Sequence, residues 1–159
     1  MFVFSQCSSD NNVSYTKVAS ITEKISIDYT EIHDEWINYS LLKNATRLNS
    51  KVNIYRLRQR GEFIVDGQKA MDFPVCTGKR NHETPIGKFR ITQKNKHHIS
   101  NIYGTSMPYF MRLTNTGIGI HVGPVFCTPQ SHGCIRTTRS ACKALFHSVD
   151  VGTSVLIFP

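Results

Sequence analysis

Two histidines and two cysteines fall within the sixteen residues HVGPVFCTPQSHGCIR, from His121 to Arg136. Three kinds of chemistry use such a group: a metal site, a disulfide, or a sulfur nucleophile with an imidazole beside it. As metal ligands, His121, Cys127, His132 and Cys134 are separated by five, four and one residues. Structural zinc sites commonly pair their ligands across about two to four residues, so this spacing speaks against zinc and no metal is expected. A disulfide between Cys127 and Cys134 needs its α-carbons within about 7 Å, which the chain between them permits. It leaves His121 without a role.

The nucleophile accounts for more of the residues. Cys134 follows Ser131, His132 and Gly133 and precedes Arg136. Gly133 has no β-carbon, so a ligand or another stretch of backbone can approach closely. A helix expected to start a few residues later would turn its positive end toward this loop. With an imidazole nearby, the thiol would then be ionised. Lowering an ordinary cysteine pKa of about 8.5 by about two units makes the thiolate dominant at neutral pH.

The elements that must hold these groups are short and mostly β. In TGIGIHVG, Ile118, Ile120 and Val122 alternate with Gly117, Gly119, His121 and Gly123, giving a strand with one apolar face and one nearly bare face. The bare face reads as room for something to approach, and His121 projects from it. KVNIYRLRQRGEFIVDGQKAMDFPV holds several β-prone runs, with Asp66-Gly67 as a hairpin turn between two of them. GKFRIT alternates with Phe89 and Ile91 on one side, and GTSVLIF reads as a buried closing strand. TTRSACKALFHSV fits an amphipathic helix capped by Thr137 or Thr138, with Ala141, Cys142, Leu145, Phe146 and Val149 as its apolar stripe. Residues 1–20 are polar, rich in Ser and Asn, and expected to be irregular; residues 21–50 give no clean period.

A chain of 159 residues with 40% hydrophobic and 19% charged residues is an ordinary globular composition, large enough for one core. No run approaches the ~20 apolar residues that span a bilayer, and MFVFSQC has no basic flank to make it an evident signal peptide. The formal charge of +8 favours a polyanionic partner. The basic residues form no helical run and no nucleic-acid motif, so nucleic acid is not expected. Five cysteines leave at least one without an intramolecular partner, and the pairing of Cys7, Cys76, Cys127 and Cys142 is open.

Four separated blocks carry a resemblance. SHGCIR, with the histidine of IHVG ten residues before its serine, resembles the YkuD-type L,D-transpeptidase catalytic domain. FPVCTGKRNHETPIGKFRIT is similar to that family's Thr-Gly and Thr-Pro-x-Gly-x-Phe region, NIYGTSMPYFMRLTNTGIGIHVG to its lid and histidine strand, and VGTSVLIF to its last strand. The resemblance runs from about residue 51 to 159. It implies a mostly β, YkuD-like sandwich or barrel with one amphipathic helix after the cysteine, occupying 51–159, with 1–50 as an N-terminal extension. It further implies an enzyme that cross-links or trims peptidoglycan stem tetrapeptides, needs no cofactor, is exported to the periplasm or envelope, and is acylated by carbapenems.

By the same resemblance Cys134 is the nucleophile and His121 the proton donor and acceptor, its ring held by a backbone carbonyl. Ser131 and His132 shape the site, amides of Gly133 and Cys134 form the oxyanion hole, and Arg136 organises the site or binds a substrate carboxylate. Residues 93–110 form a lid, with Tyr103, Met107, Tyr109 and Phe110 as walls. Here the text departs from the family in three ways. Val122 sits between His121 and Gly123, Cys76 stands where serine is common, and Cys127 lies in the loop over the site, where oxidation can tie it to Cys134. An L,D-carboxypeptidase, a stem amidase, and a non-catalytic basic module that binds the envelope are the competing expectations.

Overall fold

The computed structural model describes residues 34–159. The irregular reading of residues 1–20, and Cys7 with it, lies outside the described residues. The long β-prone stretch becomes β2 (Ser50–Tyr55), β3 (Arg60–Val65) and β4 (Gln68–Cys76), paired antiparallel in that order. Asp66 and Gly67 have φ of 50° and 77°, the two positive values a two-residue hairpin turn requires. β4 is nine residues long and serves two partners. Its first part pairs with β3, and Val75 and Cys76 pair with β9 (Ile135–Thr137).

The remaining strands extend this sheet to both sides. β10 (Ser154–Phe158) runs parallel to β2 and carries β5 (Gly87–Arg90) on its outer edge. On the other side, β8 (Gly119–Val122) lies parallel to β9, followed by β7 (Ser106–Arg112) and β6 (Gln93–Ile99). The order is β5-β10-β2-β3-β4-β9-β8-β7-β6, and a short β1 (Trp36–Ile37) adds to β4. The sheet curls into a half-barrel, the mostly β fold that the sequence predicts. The predicted lid is the β6–β7 hairpin together with the loop at residues 100–105.

Val52, Ile54, Phe63, Met71, Phe73, Ile120, Ile135, Val155 and Ile157 form the core. α2 (Arg139–Ser148) closes it with Ala141, Cys142 and Leu145. Thr138 caps the helix, its side chain accepting the Ala141 N–H. The segment before β2 is not wholly irregular. A single helical turn, α1 (Tyr39–Leu42), is capped by Asn38 and places Leu42 in the same core.

Candidate active site

His121 projects from β8 and is 6% exposed. Its Nδ1 lies 2.9 Å from the carbonyl oxygen of Val122. A carbonyl can only accept, so Nδ1 carries the proton and Nε2 presents its lone pair. Burial pushes the His121 pKa down to about 4. The Val122 bond works the other way, while Arg136 and His98 add smaller downward contributions. The ring is therefore neutral at neutral pH.

Cys134 enters β9 on the neighbouring strand. The parallel register sets Ile120 opposite Ile135 and His121 opposite Arg136. Cys134 immediately precedes β9; continued one step past the end of the strand, the alternation of side chains sets it on the side of Arg136, diagonal to His121. The thiol is free, and its Sγ contacts the Gly117 carbonyl at 3.7 Å as donor. Burial raises its pKa; the Gly119 amide, Arg112 and Arg136 oppose that in decreasing order. The expected resting thiolate is thus replaced by a neutral thiol, and the His121 imidazole is neutral as well. The helix does not change this. Strand β9 separates Cys134 from the start of α2, and Thr138 there donates its hydroxyl to the Glu35 carboxylate.

The bare glycine face is also filled from within the protein. A β-carbon on Gly119 would lie 2.5 Å from the Met111 carbonyl and 2.6 Å from the Phe110 ring, and one on Gly123 would lie 2.7 Å from the Arg136 side chain. These glycines admit Phe110 and Arg136 rather than an outside molecule. Phe110 is buried between the His98 ring, stacked at 4.2 Å, and His121 at 6.4 Å.

The loop carrying Cys134 is held at several points. Ser131 Oγ accepts the Gly133 N–H at 3.1 Å and donates to the Cys134 carbonyl. Residues 77–84 brace it from the other side: Thr77 O accepts from the amides of Gln130 and Ser131, and Lys79 N–H donates to Ser131 O at 3.0 Å. Thr77 is itself gripped by Gln59, whose side chain bonds both its amide and its hydroxyl. Thr84 Oγ1 donates to Gly133 O at 2.8 Å. Gly133 has φ of 110°, which glycine alone adopts readily. Of the two amides expected to face an oxyanion, that of Gly133 is already engaged by Ser131.

His132 is exposed, its ring 4.9 Å from His82 and 5.4 Å from Tyr103. Its pKa is lowered, first by Lys79 and then by slight burial, His82 and Arg136. Arg136 Nη2 donates to the buried Cys76 sulfur at 3.0 Å, its guanidinium lies 5.8 Å from the Phe126 ring, and its buried Nε makes no hydrogen bond. Met107 is buried and paired with His98. Tyr109 is not brought to this group; it packs on Phe146 and His147 of α2. Cys142, on the buried face of the same helix, has its thiol bonded to Tyr109 O and its pKa pushed far up by burial, while Cys127 is exposed. Among the described residues, no three His, Cys, Asp or Glu side chains converge as metal ligands.

Sequence reasoning missed the roles of Gln59, Gly78, Lys79, His82, Thr84 and His98. The pairs Thr77-Gly78 and Thr84-Pro85, which bracket one loop, were the available signal for part of this set.

The profile of the YkuD family, L,D-transpeptidase catalytic domain, matches residues 50–157. The chain is 26% identical over 102 residues to a probable L,D-transpeptidase 3 of Mycobacterium tuberculosis, covering 53% of this chain and 37% of that protein. An L,D-transpeptidase of Stackebrandtia nassauensis superposes with a TM-score of 0.66 at 28% identity, covering 70% of this chain and 56% of the other. The avibactam carbamoyl form of the enzyme Ldtfm superposes with a TM-score of 0.64 at 30% identity, covering 70% of this chain and 49% of the other. The chain thus spans 37% of the curated relative it matches and about half of these two structures.

Proposed function

Since the chain belongs to the YkuD family of L,D-transpeptidase catalytic domains, we propose that it is a cysteine-dependent acyltransferase acting on peptidoglycan stem tetrapeptides. Residues 51–159 form the catalytic unit in this reading. Residues 1–50 are an extension, of which 36–42 dock on β4 and its core. Its place of work is the cell envelope, where such stems are found.

One arrangement supports the reading: Cys134 leads directly into β9, the strand that pairs parallel with the His121 strand β8, and His121 Nδ1 is tied to Val122 O, which leaves Nε2 to act as base. His121 Nε2 takes the thiol proton as Sγ attacks the carbonyl carbon of the third stem residue. The carbonyl oxygen becomes an oxyanion and meets the Cys134 amide, a contact of the type worth about 3 kcal/mol. As the intermediate collapses, the carbon–nitrogen bond breaks and the His121 proton passes to the leaving D-alanine amine. A thioester remains on Cys134. Attack by a side-chain amine of a second stem forms a 3→3 amide and regenerates the thiol, whereas attack by water gives carboxypeptidase products. Lys79, Arg112 and Arg136 around the site suit the carboxylates of such stems.

Incubation with a synthetic tetrapeptide stem, with and without an amine acceptor, tests this. A cross-linked dimer together with free D-alanine is the expected result. D-alanine release unaffected by the acceptor, with no dimer, makes the enzyme a carboxypeptidase; no D-alanine in either arm overturns the proposal. A carbapenem is expected to acylate Cys134, and intact-mass analysis showing no adduct would count against the proposal.

A further inference from the structure

We infer that Thr84 is a positioning residue of this reaction, holding the Cys134 amide toward the oxyanion by fixing the peptide bond that precedes it. The inference rests on the acyl-transfer reading above.

Thr84 is 0% exposed. Its Oγ1 accepts from the Gly78 N–H at 2.9 Å and donates to the Gly133 carbonyl at 2.8 Å. An amide can only donate and a carbonyl only accept, so the single hydroxyl proton is committed to Gly133 O. That carbonyl and the Cys134 N–H belong to one planar trans peptide and point in opposite directions. Drawing the carbonyl onto Thr84 therefore turns the Cys134 N–H to the opposite side of the peptide.

Two features make Thr84 the fixed point. A β-carbon on Gly78 would sit 1.9 Å from His82 O and 2.7 Å from Thr84 N, so the loop closes this tightly only around glycine. The neighbouring amide of Gly133 is already bound to Ser131 Oγ. The Cys134 N–H thus becomes the donor nearest to an acyl oxygen on its own sulfur, and its direction depends on the Thr84 hydroxyl.

The test compares wild type with Thr84→Val, which keeps the shape and loses both hydrogen bonds, and Thr84→Ser, which keeps the hydroxyl. Three reactions are followed: D-alanine release from the tetrapeptide stem, acylation of Cys134 by p-nitrophenyl acetate, and alkylation by iodoacetamide. The first two form an oxyanion and the third does not. Thr84→Val is expected to lower kcat for D-alanine release and the rate of ester acylation by about 10- to 100-fold. KM and the alkylation rate stay within about twofold of wild type, and Thr84→Ser restores the acylations. Unchanged acylation in Thr84→Val, or alkylation falling in parallel with it, overturns the inference. If Thr84→Val does not fold, Thr84→Cys, a weaker donor in the same place, is expected to lose acylation alone; wild-type acylation in that variant overturns the inference. A wild-type protein that releases no D-alanine defeats the proposed substrate, and the ester and alkylation arms still decide the role of Thr84.

Discussion

The two shifts at Cys134 and His121 point the same way: both groups rest uncharged, because burial disfavours the thiolate and the imidazolium alike. The proton must then move as the sulfur attacks. Alkylation of Cys134 by iodoacetamide is expected to rise steadily with pH and reach its midpoint above the ordinary cysteine value of about 8.5. A pre-formed ion pair would instead give a plateau from mildly acidic pH upward, and such a plateau would contradict the neutral pair. The same low His121 pKa, about 4, links to stability. In the unfolded chain this histidine takes a proton near pH 6.5, while in the folded domain it does so only near pH 4. Its contribution is complete above about pH 6.5 and is lost as pH falls toward 4. The acid-induced loss of stability over this window is expected to be smaller in His121→Gln, measured by urea denaturation at pH 7 and pH 5. At this scale the sequence disclosed the residue types and their spacing. It could not disclose ionisation, which depends on burial by Phe110 and on the elements stacked around the pair.

At the scale of elements, β8 holds His121 at the right depth because glycine alternates with its apolar residues. Gly119 lets the edge of the Phe110 ring of β7 come close to the strand, and that ring is in turn stacked on His98 of β6. Gly119→Ala places a methyl group 2.5 Å from the Met111 carbonyl, a backbone atom that cannot swing aside. A stability loss of about 1–3 kcal/mol in denaturant titration is expected, with a fall in kcat larger than the change in KM; wild-type values for both would contradict this packing. The strands and the Asp66-Gly67 hairpin were legible because period-two alternation and turn chemistry are local signals. The parallel pairings of β8 with β9 and β10 with β2 leave no local mark. The bonds from residues 77–84 to the Cys134 loop are marked only by the Thr77-Gly78 and Thr84-Pro85 pairs, and the open-looking face of β8 was misread because its covering side chains come from other strands.

Across the whole molecule, charge is sorted by region. Asp34, Glu62 and Asp72 pair with Arg60 and Lys69 on β3 and β4. Around Cys134 and His132 the charges that act on the site are Lys79, Arg112 and Arg136, and none of the three forms an ion pair among the described residues. Glu83, on the rim near His82 and Arg56, is fully exposed. A stem bearing free carboxylates is therefore expected to react with kcat/KM about tenfold above its carboxamide counterpart, the gap narrowing as salt screens it. Equal values at low salt would contradict this.

The central claim is that the Cys134 sulfur carries the acyl group, and intact-mass analysis followed by peptide mapping tests it most directly. After brief reaction with a tetrapeptide stem and acid quenching, the account predicts an adduct equal to the stem less D-alanine, located on Cys134 and missing from Cys134→Ala. An adduct on another residue, or continued D-alanine release by Cys134→Ala, would contradict it.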